Sequence, residues 1–436
     1  MKQSRNAWLS RRSLLAGATA VGATALGSQL VTPAVATPGV VPSVLGPAGT
    51  KKTVHLVGTD GWVRMPPGAP DDLPFFPDPL APRGFNTYVF GFRDATGLDA
   101  SGVAALRGHA QISAPMMWFD ELDEVTITLT NLGLVQRPDL FDGHTLHWHG
   151  FVNAIPLFDG VPELSLSVPI GRDFDYFYKV RDAGTYMYHC HFEDVEHVQM
   201  GMTGMVFVRP VQNKGTATLP PGKYAYNDGD GTTRYDREYA FMMSEIWSAA
   251  HYRDAHIQVS NWTDYDPSFA CLNGRSWPDT LSPNGDPMST AQGGLQFQPI
   301  TSKITCNAGD TVLLRLSSLS YNDHSLTCDE IDLSVIAKDA SLLKGRDGTT
   351  NFQTTNTVTV GAGESRDVLF TAPDAPGTYL LYDRDYNFLA NGGGPGYGGM
   401  MTQIVVTPKK GDPGSIPDQT NPNDLAVDFS AKTGMA

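Results

Sequence analysis

The sequence predicts an all-β chain of two β-sandwich domains, and three observations carry that expectation. Glycine (45) and proline (31) are frequent enough in 436 residues to imply many turns. Stretches that alternate polar and apolar residues, as a half-buried strand does, recur along the chain. The chain also repeats itself. DEVTITLTNLG (123–133) is echoed by DTVLLRLSSLS (310–320), GTYMY (184–188) by GTYLL (377–381), and GMTGMVFV (201–208) by GMMTQIVV (399–406). The same order at similar spacing implies a duplicated sandwich of ordinary domain size.

Taken in order, residues 1–36 read as an export signal. Arg11 and Arg12 precede a run of small apolar residues, and Ala34-Val35-Ala36 resembles an A-x-A cleavage site. Paired arginines in that position are the pattern of the twin-arginine route, which carries folded proteins, often with cofactor loaded. The expected location is extracellular or in the cell envelope. No later stretch reads as apolar enough to span a bilayer. The first domain is expected over 52–212. Residues 213–236 are rich in Gly, Pro and Asp and read as a linker. The second domain is expected over 237–409, followed by a tail, 410–436, that is mobile or wraps the surface.

The formal charge is −15, and losing the signal with its four cations would leave −19. Such a balance excludes a nucleic-acid partner, because phosphate binding needs a basic face. Four cysteines in an exported chain suggest disulfides. Cys190 lies in the cluster described next, so one disulfide among Cys271, Cys306 and Cys328 is expected, with the pairing open.

Two short stretches carry the chemistry, HTLHWH (144–149) and HCHFEDVEHVQMGM (189–202). Side chains alternate faces along a strand. His147 and His149 therefore share a face, as do His189 and His191, and Cys190 points the other way. Cys190, His144, His197 and Met202 form one set: two imidazoles, a thiolate and a weak axial thioether, the ligands of a blue-copper electron-transfer centre. Met200 is a rival axial ligand. His147, His149, His189 and His191 form a second set, suited to copper or zinc and, beside a copper thiolate, better suited to copper. A single structural zinc site is disfavoured, because the alternation would split its ligands between two faces. His109, His251 and His256 read as ordinary surface or core residues. The acids Glu193, Asp194 and Glu196 read as solvated surface.

At these residues the chain resembles the multicopper oxidases, the laccase-like family. The resemblance rests on HTLHWHGF (144–151), DGVPELSLSVPIG (159–171), GTYMYHCH (184–191), HVQMGM (197–202) and LNGRSWP (272–278). It implies two cupredoxin-like Greek-key domains and a type 1 copper on His144, Cys190, His197 and Met202. It also implies that His147, His149, His189 and His191 are half of a type 2/type 3 copper cluster that reduces dioxygen. Asp159 matches an Asp-Gly motif of the family that helps deliver protons there; its plain alternative is a turn carboxylate before Gly160. A full cluster in this family takes eight histidines, and the second domain departs from that pattern. HSLTCD (324–329) keeps His324 but has Thr327 and Asp329, and Tyr382, Asp383 and Arg384 stand at the HCH position.

The expected function is an exported copper-dependent oxidoreductase that takes electrons from a phenol, an aromatic amine or a metal ion and passes them to dioxygen. A nitrite-reductase-like enzyme is one alternative, and a copper-binding or electron-transfer protein without oxidase activity is another. The missing histidines leave three resolutions open: a dimer pooling two first domains, a second site with only one or two coppers as in the trimeric copper nitrite reductases, or a partner chain that completes the site; a homo-oligomer is expected.

Overall fold

Strand-forming residues with one apolar face can bury it only against a second sheet, and the chain does this twice. The computed structural model describes residues 49–66, 70, 73–285 and 294–426; the predicted export signal and the end of the tail lie outside them. In the N-terminal part the strands are β1 (Lys51–Val63), β2 (Thr87–Asp94), β3 (Met117–Asp120), β4 (Glu124–Asn131), β5 (His147–His149), β6 (Asp173–Lys179), β7 (Gly184–His189) and β8 (Thr203–Arg209). One sheet runs β2-β1-β4-β6 and the other β3-β8-β7-β5. Between them lie Val54, Phe90, Ile127 and Leu129 from the first sheet and Phe119, Trp148, Tyr188 and Val206 from the second. The alternation read in residues 123–133 is kept: in β4 the apolar residues Val125, Ile127 and Leu129 are buried and the threonines between them half-exposed.

The C-terminal part contains β9 (Arg237–Ile246), β10 (Phe269–Leu272), β11 (Ile304–Asn307), β12 (Thr311–Ser318), β13 (His324–Thr327), β14 (Leu333–Lys338), β15 (Ser341–Leu342), β16 (Gln353–Thr355), β17 (Thr357–Val360), β18 (Ser365–Thr371), β19 (Gly377–Asp383) and β20 (Met401–Thr407). Its sheets run β10-β9-β12-β18-β14-β15, with β16 paired to β14, and β11-β20-β19-β13-β17. The duplication is visible in the topology. β1 pairs in parallel with β4 and β9 with β12, while β3 pairs in parallel with β8 and β11 with β20.

Two sequence expectations need correction. β12 was expected to be half-buried, yet from Val312 to Ser318 it is buried on both faces. The N-terminal sandwich covers its outer side, where Arg315 lies over Phe207. The expected disulfide is not formed: all four cysteines are free and buried. Cys271 on β10 pairs with the Ser276 hydroxyl at 3.3 Å, while Cys306 on β11 and Cys328 after β13 pack in a separate apolar cluster. Residues 213–236 are more than a spacer, since Tyr224, Tyr226 and Tyr235 are buried. The tail lies along β9, held by Gln419 and by the fully buried Asn423. No helix of the described residues is long and apolar enough to cross a membrane.

Candidate metal centre

Strand pairing assembles the first histidines. β5 and β7 are antiparallel, with His147 directly opposite His189. Trp148 points the other way, into the core, stacked 4.6 Å from Tyr178. His147 and His149 therefore share the opposite face. The ring of His147 lies 5.2 Å from those of His189 and His191 and 5.8 Å from that of His149. His147, His149 and His189 bring their ring nitrogens together, and the His191 ring packs against those of His147 and His189 at 5.2 and 5.5 Å.

Cys190 turns away from that group into a second one. Its sulfur lies 3.2 Å from His197 Nδ1 and 4.0 Å from His144 Nδ1, and all three residues are fully buried. His197 comes back to the sulfur because a short helix, α2 (Asp194–Met200; α1 is Ala100–Ala104, after β2), reverses the chain after β7. The return is closed by Met202 N–H donating to His197 O at 2.9 Å and Cys190 N–H donating to Met202 O at 3.1 Å. Met200 and Met202 are both buried. Met202 is placed beside His144: a Cβ on Gly58 would fall 2.6 Å from the His144 ring and 3.3 Å from the Met202 methyl. Glycine at 58 is thus required by close approach.

Several contacts at the site were not legible in the sequence. Thr145 N–H donates to the Cys190 sulfur at 3.4 Å, and the Thr145 hydroxyl accepts from His191 N–H at 2.9 Å. Asp142 Oδ2 lies 3.5 Å from His197 Nε2. Its only signal was an acid two positions before His144, which carries no motif. The quoted segment 159–171 also acts at both groups. Asp159 O accepts from His147 Nδ1 at 2.6 Å, with the Asp159 carboxylate 3.5 Å away, and Val168 exchanges two backbone bonds with His144. Gly160 has φ +74, and a Cβ there would lie 2.3 Å from Leu146 O, so glycine at 160 is dictated by sterics.

The electrostatics suit metal donors. Burial alone would raise the Cys190 thiol, but His197 and His144 beside it hold it well below the ordinary thiol range. Burial alone would lower His197, but the Cys190 sulfur and Asp142 push it up to about 10, so without metal the two form a thiolate–imidazolium pair whose proton a bound metal would displace. Burial drives His189 down to about 3 and also lowers His147 and His149, keeping these rings neutral. Nδ1 of His147 and of His189 is bonded to a backbone carbonyl, Asp159 O and Cys190 O. That fixes the tautomer and leaves Nε2 as the lone-pair donor. Nε2 of His189 is buried without a hydrogen-bond partner, the state expected of a ligand nitrogen. A thiolate, two imidazoles and a thioether on one side, and neutral imidazoles on the other, fit copper. His109, His251 and His256 belong to neither group; His251, for example, bonds Tyr88 O at 2.5 Å.

Among the described residues, the second domain places no imidazole against the four histidines. A cavity of about 250 Å³ beside His149 is lined from the second domain by Asp339, Gly363, Glu364 and Ser365. The register confirms the substitution read from the repeat. Thr327 lies opposite Tyr382 as His147 lies opposite His189, so Thr327, Asp329, Tyr382 and Arg384 occupy the four equivalent places.

The chain is similar to known proteins in sequence and in fold. Residues 103–213 and residues 237–407 match two family models, each described as multicopper oxidase, which together take in more than half of the chain. Multicopper oxidase MCE of Talaromyces pinophilus is 35% identical over 107 residues, 24% of this chain and 16% of that protein. Laccase-1 of Emericella nidulans is 28% identical over 178 residues, 38% of this chain and 26% of that protein. The chain thus spans less than half the length of these curated relatives. Among solved structures, the blue copper oxidase from Nitrosomonas europaea superposes with a TM-score of 0.57 at 22% identity, over 82% of this chain and 86% of that one. A copper nitrite reductase from Nitrosomonas europaea superposes with a TM-score of 0.51 at 17% identity, over 87% of this chain and all of that one. These likenesses show the same fold, and with the two family matches they establish that the chain belongs to the multicopper oxidase family.

Proposed function

We propose that this chain is an exported copper-dependent oxidoreductase that couples oxidation of a small donor (a phenol, an aromatic amine or a metal ion) to reduction of dioxygen. One observation carries the reading. His189, Cys190 and His191 are consecutive, yet the Cys190 sulfur meets His144 and His197 while His189 meets His147 and His149, with the His191 ring beside it. Two donor sets joined by a single peptide are what electron transfer between a donor-facing and an acceptor-facing centre requires.

His144, Cys190, His197 and Met202 would hold one copper, and His147, His149, His189 and His191 the other copper site. Copper supplies reversible one-electron chemistry at the first and reduction of the acceptor at the second. The chain's own residues do the rest. Full burial of Cys190, His144 and His197 excludes water from the sulfur. Thr145 N–H and Asp142 orient the thiolate and the His197 ring. Asp159, partly exposed and 3.5 Å from the His147 ring, is placed to pass protons between solvent and the four-histidine group. The Arg11-Arg12 pair and the small apolar run behind it support export by the twin-arginine route.

The lack of second-domain histidines favours one further reading, a site with fewer coppers that reduces nitrite. Copper per chain together with oxygen uptake decides between them. Oxygen uptake with a phenolic donor, at about two and a half coppers per chain, supports a cluster shared between two copies. Nitric oxide formed from nitrite at about two coppers per chain would replace the oxidase reading. About one copper, with neither activity, would leave an electron-transfer protein.

A further inference from the structure

The second domain keeps the frame of the first domain's sulfur site and fills it differently. Asp383 N–H donates to Met400 O at 2.9 Å, as Cys190 N–H does to Met202 O. Asp383 and Met400 therefore stand where Cys190 and Met202 stand, and the repeat sets His324 in the place of His144. On the other side of the His324 ring from Asp383, β9 supplies a second acid, Glu245. His324 Nδ1 lies 2.6 Å from Asp383 Oδ2, and its Nε2 lies 3.6 Å from Glu245 Oε1, with all three side chains fully buried.

Glu245 is also the hub of contacts that reach the first domain. Its carboxylate accepts from the Tyr265 hydroxyl at 2.8 Å, Tyr321 N–H at 2.9 Å and Asn322 Nδ2 at 2.8 Å. The Tyr321 hydroxyl donates onward to Val195 O, in α2. The backbone carbonyl of Glu245 accepts from Gln199 Nε2, near the other end of α2, at 3.0 Å. One residue and its partners thus grip both ends of the helix that carries His197. An apolar cluster of equal volume would stabilise the second domain as well as a buried carboxylate–imidazole–carboxylate set does. What such a cluster lacks is direction: it cannot aim Tyr321 and Asn322.

We propose that Glu245, His324 and Asp383 are positioning residues for His197: a metal-free triad, in the place of a second sulfur site, that sets the orientation of α2. The spectroscopic part of this inference rests on reading Cys190, His144, His197 and Met202 as a copper site; the mechanical part does not.

The test uses the full chain. Hydrogen exchange is followed at the amides of residues 194–202 in metal-free protein, for wild type, Glu245→Gln and His324→Gln. The expected result is exchange about fivefold faster in α2, the loss of roughly one hydrogen bond. In the copper-loaded variants the blue thiolate-to-copper band and the copper hyperfine splitting shift, with copper per chain unchanged. If either variant does not fold, Tyr321→Phe removes only the hydroxyl contact to Val195 and must give the same faster exchange. Unchanged α2 exchange in a folded variant overturns the proposal, and so does faster exchange without a change in the copper spectrum. A copper-loaded wild type without a blue band would sink the sulfur-site reading instead; the exchange measurement then decides the mechanical part alone.

Discussion

Arg315, from the second domain, lies with its guanidinium 4.6 Å over the ring of Phe207 in the first. Around this stack the two sandwiches share a buried polar network. Arg315 Nε donates to Glu238 at 2.7 Å, and Arg315 Nη1 donates to the Thr185 hydroxyl at 2.9 Å. Arg209 donates to the same Glu238 at 2.7 Å, and Asp367 accepts from the hydroxyls of Thr185 and Tyr226. Arg315→Met would keep much of the packing on Phe207 but remove the buried cation between Glu238, which keeps Arg209, and Asp367, which keeps the hydroxyls of Thr185 and Tyr226. We expect a loss on the order of 3–5 kcal/mol, measured by urea unfolding. A loss under about 1 kcal/mol would show that the network contributes specificity rather than stability.

The same network gives stability a pH dependence. Burial opposes ionisation of Glu238, but Arg209 and Arg315 bring it down to about 2, below its ordinary 4.5. A carboxyl depressed in the folded state contributes stability that is complete above its unfolded pKa and drains as pH falls through the folded one. The denaturation midpoint should therefore decline between about pH 4.5 and pH 2. In Glu238→Gln that part of the decline should be missing. A variant with the wild-type slope would place the acid sensitivity elsewhere.

Cys190 is the one soft anionic donor of its group, with His144 and His197 at 4.0 and 3.2 Å. Cys190→Ser exchanges a thiolate for a hydroxyl that copper prefers far less. The expected outcome is loss of blue absorption and of about one copper per chain. The four-histidine group should keep its metal, because its donors leave β7 on the other side. A persisting blue band would refute the assignment.

Asp159 touches His147 in two ways, and substitution separates them. The 2.6 Å bond that fixes the His147 tautomer comes from the Asp159 backbone. Asp159→Ala should therefore leave copper per chain unchanged. If the carboxylate moves protons, oxygen uptake should fall by about a hundredfold, the low end of general acid–base contributions. Wild-type turnover in a copper-replete variant would reduce Asp159 to a turn residue before Gly160.

The tail is part of the fold by way of one side chain. Asn423 accepts from Ala240 N–H at 2.7 Å and donates to Ala240 O and Thr301 O at 3.0 and 3.1 Å. Asn423→Ala should cost about 2 kcal/mol, since it leaves the buried Ala240 N–H of β9 unpaired, while Ala240 O keeps Asn273 Nδ2. The first event should be detachment of the tail, seen as faster proteolysis after residue 410. An unchanged melting temperature would mean that Gln419 holds the tail by itself.

Much of the candidate site was written in local periodicity. Two-residue alternation alone separates Cys190 from His189 and His191 and sets His147 beside His149, because a strand has only two faces. The repeat likewise places His324, Asp329, Tyr382 and Arg384 before any coordinates are known. The sequence was silent wherever the partner is distant along the chain. Asp142 beneath His197, Gly58 against His144 and Glu245 behind α2 belong to no motif, since each is selected by a contact that forms only after the sheets pack. The same holds for β12, whose alternation suggested one wet face until Phe207 and Thr185 closed over Arg315. By itself, then, the sequence determined the two-sandwich plan and which candidate donors share a face, because these follow from backbone geometry within a few residues. Only the tertiary structure decided what surrounds those donors and what occupies the second domain's vacated places, because burial and hydrogen bonding are properties of neighbours brought together from 50 to 200 positions apart.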